Sequence, residues 1–353
     1  KPEEIKQFLF KNGPKVIFST YQSTPIISKV LIEQKSFTFD LVFADEAHRC
    51  AGKVSESFGC VLDENKIRAK KRLFFTSTPR VLSSNLKSSA KVHDIKIASM
   101  DDHSIFGDVL YQLKFSEAIK NKLLSDYQVV VVGVNDKLIN EQIQKRDLLT
   151  IDYKDIYDAE TLAAHIALLK AVEKYNLKKI ITFHSRVNNA KKFAQNFLEI
   201  VNTIPTKSSL NKKISCDHVS GLMSTSERNE KIQSIKDLPD NEIKIITNAR
   251  CLSEGVDVPS LNGIAFIDPK SSQIDIIQAV GRAIRKSDDK SKGTIIIPVY
   301  LEKIENAEDE ILASKFKTVW EVILALKSQD DSLMEILDEG RISLGNKKFG
   351  KKE

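Results

Sequence analysis

The chain has 353 residues, 41% hydrophobic and 29% charged, which at about 150 residues per domain allows two packed domains. No apolar run approaches the roughly 20 residues that a membrane-spanning helix needs, so a role inside a bilayer is excluded. The net charge of +6 permits a polyanionic partner without arguing for one, since many enzymes with no nucleic acid carry as much.

Short β-branched runs alternate with longer polar-apolar segments along nearly the whole length, which predicts an α/β protein built on parallel sheets. The first predicted strands are Lys15–Ser19, Leu41–Ala44 and Leu73–Thr76, each apolar on both faces as strands covered by helices on both sides must be. A helical stretch follows from Phe115 to Tyr127, with Ala118, Ile119, Leu123 and Leu124 on one side, and marks the connection between two domains. The strand pattern then resumes at Val129–Val134, Lys179–Phe183, Cys216–Val219, Ile243–Thr247, Gly263–Ile267 and Thr294–Val299. Beyond Tyr300, Ile311, Leu312, Phe316, Val319, Trp320, Ile323 and Leu324 recur at helical spacing, with Trp320 read as a packing residue. The lysine-rich tail from Gly340 is expected to be mobile. The predicted domains are 1–114, 115–302 and a helical extension with tail, 303–353. Cys50, Cys60, Cys216 and Cys251 form no CxxC pair and no metal-ligand spacing, which suits free thiols in a reducing, cytoplasmic compartment.

Asp45-Glu46-Ala47-His48 stands directly after the strand Leu41–Ala44. Ligands of open parallel sheets bind at the carboxyl ends of strands, so two carboxylates meet a ligand crevice there. Phosphoryl transfer needs a metal ion on the phosphate oxygens and a group that orients the attacking water. Asp45 suits the first task and Glu46 the second. Thr76-Ser77-Thr78-Pro79 ends the next strand, where Ser77 and Thr78 can bond the carboxylates and sense the γ-phosphate. Gln278-Ala279-Val280-Gly281-Arg282-Ala283-Ile284-Arg285 places two arginines three apart on one face of a predicted helix. Gly281, costly inside a helix by about 1 kcal/mol, is read as a close approach. In the loop Asn248–Pro259, Gly255 can let backbone approach a phosphate and Asp257 can take a ribose hydroxyl or an arginine.

Taken in order, these segments resemble the motifs of superfamily 2 helicases and translocases. Asp45–His48 looks like motif II, Thr76–Pro79 motif III, Asn248–Pro259 motif V and Gln278–Arg285 motif VI. Ile181–Arg186 looks like motif IV, with His218–Gly221 and Arg228 resembling the segment after it. Ser19-Thr20-Tyr21-Gln22-Ser23 is similar to the early motif that touches the nucleic-acid backbone. The run Asn248–Pro259, Phe266–Pro269, Gln278–Arg285 further resembles a bacterial group of "predicted helicases" that includes motors of single-chain restriction-modification enzymes.

The resemblance implies two RecA-like domains using ATP and Mg²⁺. Asp45 and Glu46 would hold the metal and act on water, Arg282 and Arg285 would be arginine fingers, Gln278 would sense nucleotide and His48 would couple it to nucleic acid. Thr20, Tyr21, Arg186 and Thr247 become candidate nucleic-acid contacts, sequence-blind and salt-sensitive. The implied partner is nucleic acid, DNA ahead of RNA, with nuclease or methyltransferase regions in a longer protein.

The family's phosphate-binding loop, G-x-x-x-x-G-K-S/T, does not occur in the sequence, Gly52-Lys53-Val54 being the nearest run. The loop and its strand are therefore expected to be missing and the first domain incomplete, with weak ATP binding, slow hydrolysis and an exposed sheet edge prone to aggregation. Two other readings remain open. One is a strand-gripping module without hydrolysis, which would have no need of both carboxylates and both arginines. The other is an RNA remodelling enzyme, which shares all these motifs.

Overall fold

The computed structural model describes residues 1–34, 36–54, 57–135, 159–203, 213–249, 252, 261–268, 272–286, 292–301 and 317–330, in two compact units, Lys1–Gln112 and Leu113–Glu353. In the first unit, α1 (Pro2–Leu9) and α2 (Thr24–Glu33) precede β1 (Phe39–Ala44), β2 (Gly52–Lys53) and β3 (Ala69–Phe74). α3 (Ser84–Val92), β4 (Ile97–Ala98) and the single turn α4 (His103–Phe106) complete it. β1 and β3 pair in parallel, and β2 and β4 pair antiparallel. Leu9, Ile27, Val30, Leu31, Cys60 and Ile67 form its larger apolar cluster.

The strand predicted at Lys15–Ser19 is not one. The segment runs without regular structure, Ile17 packs against that cluster, and Val16 and Phe18 are 71% and 95% exposed. Its β-branched residues favour a strand, but no ladder partner joins it among the described residues. β1 is likewise covered on one face only. Phe43 and Phe75 sit 5.7 Å apart on the open face and are both largely exposed, an apolar patch that favours association.

The second unit opens with α5 (Phe115–Lys120) and β5 (Asp126–Asn135). The helix predicted through Tyr127 stops seven residues short of it, because the chain turns through left-handed Lys122 (φ 57°), and Leu123 lies in solvent. Then come α6 (Ala159–Lys174), β6 (Lys179–His184), α7 (Val187–Thr203), β7 (Lys213–Ser220), α8 (Thr225–Lys236), β8 (Glu242–Ala249), β9 (Gly263–Asp268), α9 (Gln273–Ala283), β10 (Lys292–Leu301) and α10 (Lys317–Lys327). The strands form one parallel sheet in the order β5-β10-β9-β6-β8-β7.

Consecutive strand residues feed cores on opposite faces, which is why these runs are apolar throughout. Ile181, Ile246, Ile264 and Ile295 join α9 and α10 on one face. Ile180, Ile245, Ala265 and Ile296 join α6 and α7 on the other. In α10 the buried positions are Val319, Val322, Ala325 and Leu326, whereas Trp320 is half exposed and is not the packing residue expected. The tail from Gly340, with Ile311, Leu312 and Phe316, lies outside the described residues.

One contact holds α9 at a fixed height on the sheet. A Cβ built on Gly293 of β10 would lie 2.5 Å from the carbonyl oxygen of Ala283. Gly293→Ala must push the last turn of α9 off the strand, and we expect it to lower unfolding stability by about 2 kcal/mol in urea titration.

Candidate functional site

In the first unit, β1 delivers Asp45 and Glu46 at its carboxyl end, followed by a turn of 3₁₀ helix, Ala47–Cys50. Glu46 is left-handed, with φ 48° and ψ 45°. A non-glycine residue there costs about 1 kcal/mol or more, so neighbouring bonds must hold it. They do so on both sides. The Glu46 N–H donates to Asp45 Oδ1 at 2.9 Å, and the Ala47 N–H donates to the Phe75 carbonyl at 2.8 Å. Phase is kept by a further bond from the Phe75 N–H to the Ala44 carbonyl at 2.9 Å.

His48 is buried, and its Nδ1 lies 3.0 Å from Thr76 Oγ1 and 3.3 Å from Glu46 Oε2. Burial, and then the charge of Asp45, push the Glu46 carboxyl above the ordinary carboxylate range, with Arg49 opposing. The turn therefore offers one exposed carboxylate, Asp45, beside a second that gives up its proton less readily. Of the following segment, Ser77 is exposed and Thr78 is buried. The hydroxyl that reaches the histidine is Thr76, which also accepts from the Thr78 N–H at 3.1 Å. Thr20 is exposed and its carbonyl accepts from the Ser23 and Thr24 N–H groups. The Tyr21 hydroxyl turns inward instead and donates to the Asp45 carbonyl at 2.6 Å.

In the second unit, α9 carries Gln278 and Arg282. Both polar atoms of the Gln278 amide are buried with no hydrogen-bond partner among the described residues, a cost of about 1–3 kcal/mol that calls for a ligand or a function. Arg282 is buried. α9 ends at Ala283, so Arg285 stands beyond it, exposed, in a bridge with Leu124. The two arginines do not share a helical face as their spacing predicted. Gly281 is also not a close approach within the described residues, since a Cβ there would meet nothing within 4 Å. Arg186 is exposed at the mouth of β6. Thr247 is fully buried and gives its hydroxyl to the Ala190 carbonyl at 2.7 Å, so it anchors α7 to the sheet and does not face a strand. Gly255 and Asp257 lie outside the described residues.

Residues 1–81 match the family model described as "Type III restriction enzyme, res subunit", and residues 162–287 match that of the "Helicase conserved C-terminal domain". These matches accord with the superfamily 2 helicases that the motifs resemble. The chain is 30% identical to a solved structure of the ATP-dependent Type ISP restriction-modification enzyme LlaBIII bound to DNA. The match covers 96% of the chain and 24% of that enzyme, with a TM-score of 0.78. A nuclease-deletion mutant of the Type ISP enzyme LlaGI, in complex with a DNA substrate mimic, shares the fold at 24% identity and a TM-score of 0.59. There the likeness covers the whole chain and 24% of that enzyme. A helicase of African swine fever virus is 26% identical over 91% of this chain and 32% of its own length. The chain thus spans about a quarter to a third of the length of these three relatives.

Two contacts could not be read from the motif pattern. The Thr76 hydroxyl reaches His48. Asp268, at the end of β9, gathers His184 Nδ1 at 2.8 Å, Ser185 Oγ at 2.9 Å and Asn189 Nδ2 at 2.8 Å. It thereby fixes the turn that bears Arg186. The sequence signals for Asp268 were its place at a strand end and in the run Phe266–Pro269.

Proposed function

We propose that this chain is the motor part of an ATP-dependent DNA translocase or helicase in a restriction-modification or defence enzyme. The observation that carries the reading is Glu46, a carboxylate held in a left-handed backbone conformation at a strand end beside Asp45. Strain of this kind persists where neighbouring structure enforces it, and it clusters at active sites. The names of the DNA-bound relatives favour DNA over RNA.

Asp45 and Glu46 are the residues that would hold Mg²⁺. They are adjacent hard oxygen donors, Glu46 being raised by burial and then by the charge of Asp45, and a cation that keeps most of its water needs no closed cage. Among the described residues no group of three or more His, Cys, Asp and Glu side chains forms such a cage. When bound, the ion would neutralise charge on the phosphate oxygens. Glu46, with its raised proton affinity, orients the attacking water and takes its proton. His48 and Thr76 report the state of that carboxylate to the strand end of β3. In the second unit, the unsatisfied amide of Gln278 and the guanidinium groups of Arg282 and Arg285 are the groups proposed to answer to nucleotide. Thr20 and Arg186 are the exposed candidates for backbone phosphates.

The 353 residues contain no G-x-x-x-x-G-K-S/T run. Alone they are proposed to bind ATP weakly and hydrolyse it slowly, with the phosphate loop supplied by sequence outside them. The test is DNA-stimulated ATP hydrolysis, comparing the 353-residue chain with the longer gene product. Stimulated hydrolysis by the longer form alone sustains the reading. Salt-sensitive DNA binding by both forms with hydrolysis by neither would instead favour a strand-gripping module.

A further inference from the structure

The Tyr21 hydroxyl joins two parts of the first unit that the motifs treat separately. Tyr21 begins a single 3₁₀ turn, Tyr21–Ser23, that runs directly into α2. Thr20, just before it, is exposed, and the turn is stiff. The Thr20 carbonyl accepts from the Ser23 N–H at 3.0 Å, the Thr24 N–H at 3.1 Å and the Thr24 hydroxyl at 3.0 Å, while the Thr20 hydroxyl bonds Ser23 Oγ at 3.1 Å. The Tyr21 ring stacks on Phe58 at 5.4 Å, and its hydroxyl spans 24 positions of sequence to donate to the Asp45 carbonyl at 2.6 Å.

That carbonyl belongs to the peptide between Asp45 and Glu46. The N–H of the same peptide is held by Asp45 Oδ1 at 2.9 Å. The peptide plane therefore fixes two things together, the left-handed φ of Glu46 and the direction of the Asp45 carboxylate. If the plane turns, both carboxylates move. Of the bonds to this plane, the Tyr21 hydroxyl alone comes from the segment read as a nucleic-acid contact.

We propose that Tyr21 is a positioning residue that transmits strand occupancy at Thr20 to the orientation of Asp45 and Glu46, so that bound DNA sets the carboxylates for hydrolysis. It does not itself hold the strand, because its hydroxyl is already committed inward. The buried Cys50 thiol lies beside that hydroxyl. The hydroxyl is the donor in this contact, since a carbonyl can only accept. A stiff turn at one end and a strained residue at the other make this single hydrogen bond an efficient lever.

This inference rests on the motor reading. Its test uses the longer gene product with Tyr21→Phe, which keeps the stack on Phe58 and removes only the hydroxyl. The ratio of DNA-stimulated to unstimulated kcat should fall at least about five-fold, with KM for ATP and Kd for a DNA oligonucleotide each within about two-fold of wild type. Phe58→Leu, which loosens the ring but leaves the hydroxyl, should give a smaller loss of the same ratio, and thermal melting checks the fold of both. If wild type is stimulated and Tyr21→Phe keeps its full stimulation ratio, or loses it through weaker DNA binding, the coupling is wrong and the motor reading stands. If wild type itself shows no stimulation by DNA, the motor reading fails first.

Discussion

Glu46→Gln, in the loop-bearing protein proposed above, is expected to lower DNA-stimulated ATP hydrolysis by at least about 100-fold, the range over which a positioned acid–base group acts. The amide keeps the size and the left-handed backbone of Glu46, so the bonds from Glu46 N–H to Asp45 and from Ala47 N–H to Phe75 survive. What disappears is the proton acceptor. In wild type the rate should rise with pH along an acid limb displaced upward from the ordinary glutamate pKa of about 4.3, because burial and Asp45 both resist ionisation of Glu46. The same shift has a sign for stability. A carboxyl whose folded pKa is raised stabilises the fold while protonated, and that contribution is lost as pH rises through the folded pKa. Burial and Asp45 therefore work against the ionised form of Glu46, and Glu46→Gln should melt at or above the wild-type temperature. An inactive variant that melts lower would mean that the glutamate serves the fold, and a variant that still hydrolyses ATP would remove Glu46 from the chemistry.

The central sheet was legible because its strands are covered on both faces. Ile180 and Ile181 must both be apolar when they enter different cores, and a half-solvated strand would alternate instead. The same rule misled at Lys15–Ser19, where β-branched residues favour a strand but say nothing about a partner. At Arg282 and Arg285 the spacing of three implied a shared face, which holds only while a helix continues, and α9 stops between them. Local patterns also cannot show where a side chain spends its hydrogen bonds. Thr247 and Tyr21 both sit in motifs read as strand contacts, yet one hydroxyl is given to Ala190 and the other to Asp45. The carboxylate turn was visible because its chemistry is contiguous in sequence. The Asp268 cluster was not, since its members lie about 80 residues apart: Ser185 is 83 residues from Asp268 and Asn189 is 79.

That cluster carries the largest stability effect we expect in the second unit. His184 is almost fully buried, with Nδ1 at 2.8 Å from Asp268 Oδ1 and Nε2 at 2.9 Å from Thr182 Oγ1, and its ring lies against Phe193. A neutral imidazole fits both contacts if Nδ1–H donates to the carboxylate and Nε2 accepts from the threonine. Asp268→Ala removes the acceptor and leaves a buried N–H, together with Ser185 and Asn189, without it. The cost should be about 3 kcal/mol, at the lower end for breaking such a pair because Asp268 is partly open to water. Burial alone would raise the Asp268 carboxyl, but the bonds from His184, Asn189 and Ser185 outweigh it and hold the group below the ordinary carboxylate range. A depressed carboxyl stabilises the fold above its unfolded pKa, and the contribution is lost as pH falls through the folded one. The gap between wild type and Asp268→Ala in urea unfolding, followed by the single tryptophan, Trp320, should therefore be full at neutral pH and narrow below about pH 4. A gap that ignores pH would show that Asp268 acts through packing, and the turn bearing Arg186 would then owe its position to Thr247 and α7 instead.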